Sequence, residues 1–140
     1  MSTPIHGSKA GFKLGTSATP TTVVDYSTYF HVVQFPQTRD TAETTTFGSL
    51  AKSFIPGLRD TTMTADAYYS TTLDSAMSDI FYNNAVVTFN YAPAGVGVVG
   101  TPLYTGTCFC THFESDSDVG GVGKVSVHFQ ITGTPTRTIQ

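Results

Sequence analysis

Apolar residues recur at two different periods along this chain. Leu73, Ala76, Met77, Ile80 and Phe81 fall at i, i+3, i+4, i+7 and i+8, which lines one face of a helix. Thr71 is placed as its N-cap, Asp74 lies three residues on in the first turn, and Asn83 and Asn84 are suitable stop residues. Elsewhere the period is two. Met63, Ala65, Ala67 and Tyr69 alternate with Thr62, Thr64 and Asp66. Leu103, Thr105, Thr107, Phe109, Thr111 and Phe113 alternate with Tyr104, Gly106, Cys108, Cys110 and His112, which predicts a long strand. Val125, Val127, Phe129 and Ile131 alternate with Lys124, Ser126, His128 and Gln130, an amphipathic strand with one wet face. Residues 31–35 and 85–91 are further β-rich runs; Pro36 closes the first or marks an edge. Residues 25–30 are read as one helical turn capped by Asp25.

These elements predict a mainly β fold, an antiparallel β-sandwich or half-barrel of about six to eight strands with one flanking α-helix. The helix stripe is assigned to packing against the sheet. Residues 1–22, rich in Gly, Ser, Thr and Pro, are expected to be a flexible N-terminal arm in which only Phe12, Lys13 and Leu14 look ordered. Residues 23–140 are expected to form a single β-domain with a long loop over 38–60, punctuated by Gly48, Pro56 and Gly57. A compact domain rarely keeps a connection that long unless it has a job. Residues 92–100 are turn-rich and suggest a hairpin or flap, and residues 114–121 an acidic turn-forming loop.

Composition narrows the partners. Only 12% of the 140 residues are charged, about half the usual globular share. There are 25 threonines and 12 serines, a neutral and hydroxyl-rich surface that suits strands packing against like copies. A net charge of −3 with scattered basic residues argues against a surface for nucleic-acid phosphates. No apolar run reaches bilayer-spanning length and the first residues lack the pattern of a secretory leader, so the chain is read as made in a cytosol, with no membrane partner.

Catalytic and cofactor motifs are missing: there is no phosphate-binding Gly-x-x-x-x-Gly-Lys, no His-Glu-x-x-His and no Gly-x-Ser-x-Gly. His6, His31, His112 and His128 are dispersed, and Cys108 and Cys110 are read as two buried thiols. Glu114, Asp116 and Asp118 lack the remainder of a calcium loop. Gly95, Gly97 and Gly100 match Gly-x-Gly-x-x-Gly, but Pro102 and another strand follow where a nucleotide fold needs a helix. No catalytic, cofactor or metal residue is assigned, and the chain is read as no enzyme.

The long connection carries the clearest signal. Thr44, Thr45, Thr46, Phe47 and Gly48, then Lys52, then Phe54, Ile55, Pro56, Gly57, Leu58, Arg59 and Asp60 resemble a pattern of the tail tube (major tail) proteins of long-tailed phages. That pattern is Thr-Thr-Phe-Gly, a Lys, an aromatic and Gly-Leu-Lys/Arg-Asp. Residues 125–133 resemble the closing strand of that family, and the similarity runs over most of the chain from about Val32 onward. The resemblance implies a structural virion protein whose subunits form hexameric rings, closing a ring-shaped β-barrel and stacking into a tube through which DNA passes without specific binding. It implies other tail proteins as partners, namely tape measure, terminator and distal tail proteins, a place in the virion tail, and assembly in the host cytoplasm. Carried onto this sequence, it makes Thr44, Thr45, Thr46, Phe47, Gly48, Lys52, Phe54, Ile55, Pro56, Gly57 and Leu58 the inter-ring or inter-subunit contact.

Two alternatives stay open. Within the same structural class the chain would be a capsid decoration or head-tail connector protein. In another class it would be a soluble ligand-binding β-domain, with Tyr68, Tyr69, Tyr82, Tyr91 and Tyr104 lining a groove.

Overall fold

A computed structural model describes residues 5–48 and 50–140. Among them are eight strands and one α-helix: β1 (Gly11–Gly15), β2 (Val23–Asp25), β3 (Phe30–Gln34), β4 (Gln37–Glu43), β5 (Phe54–Tyr68), α1 (Thr71–Tyr82), β6 (Val87–Ala92), β7 (Pro102–Asp116) and β8 (Lys124–Ile139). All pairings are antiparallel, in the order β2-β1-β6-β7-β8-β5-β3, with β4 attached to the outer half of β5.

The period-two pattern decides which face is dry. In β8, Val125, Val127, Phe129 and Ile131 are buried, and in the inner half of β5 so are Met63, Ala65 and Ala67. α1 lays Leu73, Met77 and Ile80 onto the same core. Each large apolar side chain fully withdrawn from water there contributes roughly 1.5–3 kcal/mol. The cap lies one residue before the expected one: Ser70 is the N-cap, with extended backbone and no side-chain hydrogen bond, and Thr71 is already helical. Asn84 ends the helix in the left-handed region at φ 51°, a conformation Asn tolerates.

The sheet curls over itself without closing. Phe35, just beyond β3 at one end of the strand order, packs its ring 5.7 Å from Phe89, 5.7 Å from Tyr91 and 5.3 Å from Tyr104, on strands from the other half. Phe30 of β3 meets Phe12 of β1 edge-on at 5.2 Å. The fold is a half-barrel with one flanking helix, as the sequence pattern predicts. A cleft of about 870 Å³ marks the open seam, lined by Phe12 and Gly11 on one side and Phe30 and Val32 on the other.

Three expectations change. Residues 11–15, expected inside the N-terminal arm, form β1 between β2 and β6, with Phe12 and Leu14 in the core. A short Gly-rich segment looked like tail because only three residues carried any pattern, yet its two apolar side chains fill the end of the sandwich. Residues 38–60 are not a loop but mostly the β4–β5 hairpin. Along the β7–β8 pairing the register shifts twice: residues 133–135 of β8 stand opposite Gly106 alone, and Thr111 is an extra residue in β7 between Cys110 and His112. Such bulges re-aim side chains, so Phe113 packs toward the core while Phe109 stays on the outer face.

Candidate functional site

The β4–β5 hairpin leaves the body at Thr61. Thr61 is buried and held from β8, where the Gln130 side-chain amide donates to the Thr61 carbonyl at 3.2 Å and to Asp60 Oδ1 at 2.9 Å. From there outward every residue of β4 and all of residues 54–60 are exposed. Pairing runs from Gln37 opposite Thr61 to Glu43 opposite Phe54, with a shift between Arg39 and Thr41 that sets Asp40 opposite both Gly57 and Leu58, a bulge in β5. The Thr-rich sequence favours this extended form, and Pro56 is tolerated because the outer half of β5 has one neighbour strand only.

Backbone and side-chain hydrogen bonds tie the two strands at the base of the tip. The Thr44 N–H donates to the Ser53 carbonyl at 2.7 Å, and the Ser53 N–H to Thr45 Oγ1 at 2.9 Å. Gly48 turns the chain at φ 85°, which a side chain would resist. The residues singled out from sequence thus share one projecting structure: Thr44, Thr45, Thr46, Phe47, Gly48 and Lys52 at the tip, Phe54, Ile55, Pro56, Gly57 and Leu58 along β5. Phe47 is fully exposed, Leu58 83% and Phe54 55%, so the hairpin carries apolar side chains that the described residues leave uncovered. Isolated exposed apolar residues are ordinary, but a row of them on one extended arm marks an interaction surface.

Sequence reasoning missed two features. Leu50 is as exposed as Phe47 and belongs to the tip; its signal was its place between Phe47 and Phe54. The turn-rich segment 93–101 presents Val96, Val98 and Val99 on a loop pinned by Gln140. The Gln140 side-chain amide donates to the Gly95 carbonyl at 3.0 Å, its Oε1 accepts from the Gly97 N–H at 2.6 Å, and its backbone pairs with Thr101 and Gly100. No local pattern announces a clamp between residues that far apart in sequence.

Other chemistry is sparse. Among the described residues no group of three or more His, Cys, Asp and Glu is arranged to hold a metal. His112 faces Glu114 at 3.2 Å and His128 at a ring separation of 4.7 Å, on an exposed strand face. Burial, with a smaller effect from Cys110, pushes the Cys108 thiol up to about 12, which keeps it protonated and inert. Cys110 is half-buried, also raised by burial, and lies 3.3 Å from the His112 carbonyl. The five tyrosines weighed for a ligand groove do not converge. Tyr91 and Tyr104 pack with Phe35 against the core, Tyr68 stacks on His31 at 4.5 Å, Tyr82 is exposed at the helix end, and only Tyr91 of the five borders the seam cleft.

The fold is shared with chains of several solved structures. Solved structures with this fold include a chain of the virion of a native gene transfer agent particle, at 13% identity and a TM-score of 0.79, covering 96% of this chain and 99% of that one. A chain in the tail of the empty gene transfer agent particle, refined with C6 symmetry, matches at 13% identity and a TM-score of 0.76, over 96% of this chain and 99% of that one. The SPP1 tail tube matches at 13% identity and a TM-score of 0.78, over 98% of this chain and 80% of that one. No family model matches the sequence, and neither does any curated protein sequence.

Proposed function

We propose that this chain is the structural subunit of a tail tube: copies close into rings, hexameric as in the C6 tail of the gene transfer agent, and the rings stack around a channel that passes DNA. The observation that carries the reading is the β4–β5 hairpin, an arm of exposed apolar residues that no other described residue covers. The likeness in fold to the SPP1 tail tube, over nearly the whole chain, supports it. So does the open sheet: β2 and β3 each have a neighbour on one side only, and unpaired edges are what a monomer must protect and an assembly uses. A ring is a head-to-tail contact that closes, and its repetition along an axis gives a filament.

The role is structural rather than catalytic, the place is the virion tail, and assembly occurs in the host cytoplasm. The arm residues Thr44, Thr45, Thr46, Phe47, Gly48, Lys52, Phe54, Ile55, Pro56, Gly57 and Leu58 serve as the contact between rings or subunits. Tape measure, terminator and distal tail proteins meet the tube at its lumen and ends. Electron microscopy of the purified protein across a range of concentrations, and of virion preparations, tests this. Stacked rings with a central channel are expected; discrete particles on an icosahedral shell would move the chain to a decoration role, and monomers at every concentration would reopen the ligand-binding reading.

A further inference from the structure

We infer that the tip of the β4–β5 hairpin seats on the β7–β8 turn, residues 117–123, of a second copy. The inference rests on the stacking reading above and names the surface that receives the arm.

The two patches stand at opposite ends of one strand. β5 leaves the hairpin tip at Phe54 and ends at Tyr68, opposite Lys124 at the start of β8. The next residue donates its N–H to the Gly123 carbonyl at 2.8 Å, so Tyr69 borders the turn. Fifteen strand residues, at about 3.3 Å each, separate the ends by up to roughly 50 Å. A chain with an arm at one end and its receiver at the other cannot satisfy itself and repeats head to tail.

Their chemistry is complementary. Residues 44–53 carry one charge, Lys52, and residues 117–123 carry one charge of opposite sign, Asp118. Phe47 and Leu50 are fully exposed on the tip; Val119 is fully exposed on the turn, beside Val122 at 64% and Tyr69 at 47%. The turn is held in place rather than loose. The Gly120 N–H donates to Asp118 Oδ1 at 3.1 Å and the Gly121 N–H to the Asp118 carbonyl at 3.2 Å, and Oδ2 accepts no hydrogen bond among the described residues. Neither Lys52 nor Asp118 has an ion-pair partner among the described residues, and Asp116, although opposite Lys124 in the strand register, forms no ion pair with it either. An exposed ion pair is weak alone, but repeated around a ring it fixes register and rejects the wrong end.

The test uses the full chain with Lys52→Glu, Asp118→Lys and the two combined, followed by electron microscopy and sedimentation. Each single variant should melt like the parent and raise the protein concentration needed for stacking about fivefold or more, while the double variant restores it. In the parent, carbodiimide should join Lys52 to Asp118 between copies, read by mass spectrometry of a mixture of isotope-labelled and unlabelled chains. Stacking by Asp118→Lys at the parent's concentration, or no rescue in the double variant, would overturn the turn as receiver while the arm keeps its role. A parent that forms no stacks, and no such cross-link, would overturn both this inference and the tube reading.

Discussion

Gly57 lies directly against Asp40 across the hairpin: a Cβ at position 57 would stand 3.0 Å from the Asp40 carbonyl oxygen and 3.2 Å from the Asp40 Cβ. The crowding comes from the bulge in β5 that sets Gly57 and Leu58 together opposite Asp40. Gly57→Val should therefore force the two strands apart at mid-arm. Because residues 54–60 contribute nothing to the core, global stability should change by less than about 1 kcal/mol. Hydrogen exchange should show lost protection of the hairpin amides around Arg39 and Arg59 with β8 untouched, and electron microscopy should show impaired stacking. Unchanged hairpin protection would mean that β4 can yield at no cost, against the packing described.

Phe54→Asp places a charge at the root of the tip, on a side chain about half exposed in the single chain. The folded chain should tolerate it within about 0.5 kcal/mol, as surface substitutions usually do. In an apolar contact between rings the same carboxylate would have to be buried unpaired, which costs several kcal/mol. A folded protein that no longer stacks is expected. Tube formation at the parent's concentration would remove this part of the arm from the contact.

Much of this was legible in the sequence because its signals were periodic. Val125, Val127, Phe129 and Ile131 could face only one way, and Leu73, Met77 and Ile80 could share a face only on a helix. The bulge of β7 at Thr111 was not legible, since Thr, Cys and Phe sit comfortably on either face of a strand and only tertiary packing chooses between Phe109 and Phe113. β1 hid for the same reason that it is short: five residues with two glycines carry too little pattern to outweigh their surroundings. The arm residues were found, but as a loop. A solvated hairpin lacks the alternation of a half-buried strand, because neither of its faces is dry in the single chain.

Ile80 supplies the contrast with the arm. It is 1% exposed, in contact with the buried cluster that α1 shares with β7 and β8. Ile80→Asp leaves an unpaired carboxylate there, and a loss of about 3–5 kcal/mol is expected, much of the stability of a domain this size. The variant should be insoluble or lack a cooperative thermal transition. Ile80→Ala, losing about 2–5 kcal/mol, keeps the comparison measurable if the charged variant cannot be isolated. A soluble Ile80→Asp chain melting with the parent would show that this helix face is not packed.

The thiols give a prediction in pH. Burial raises the Cys108 thiol from 9.0 to about 12, so the native state holds its proton where the unfolded chain has lost it. Stability from this group is fully present below pH 9.0 and drains away as pH rises toward about 12. Cys108→Val should flatten that alkaline slope. A residue of slope should persist, because burial also raises the phenols of Tyr26 and Tyr91, the former helped by Tyr29 and the latter by Tyr104. A thiol reagent at pH 8 should leave Cys108 untouched in the native protein, label the half-buried Cys110 slowly, and label both in denaturant. Rapid native labelling of Cys108 would show that the sheet opens beneath α1, and an unchanged alkaline slope in Cys108→Val would show that this thiol carries no part of it.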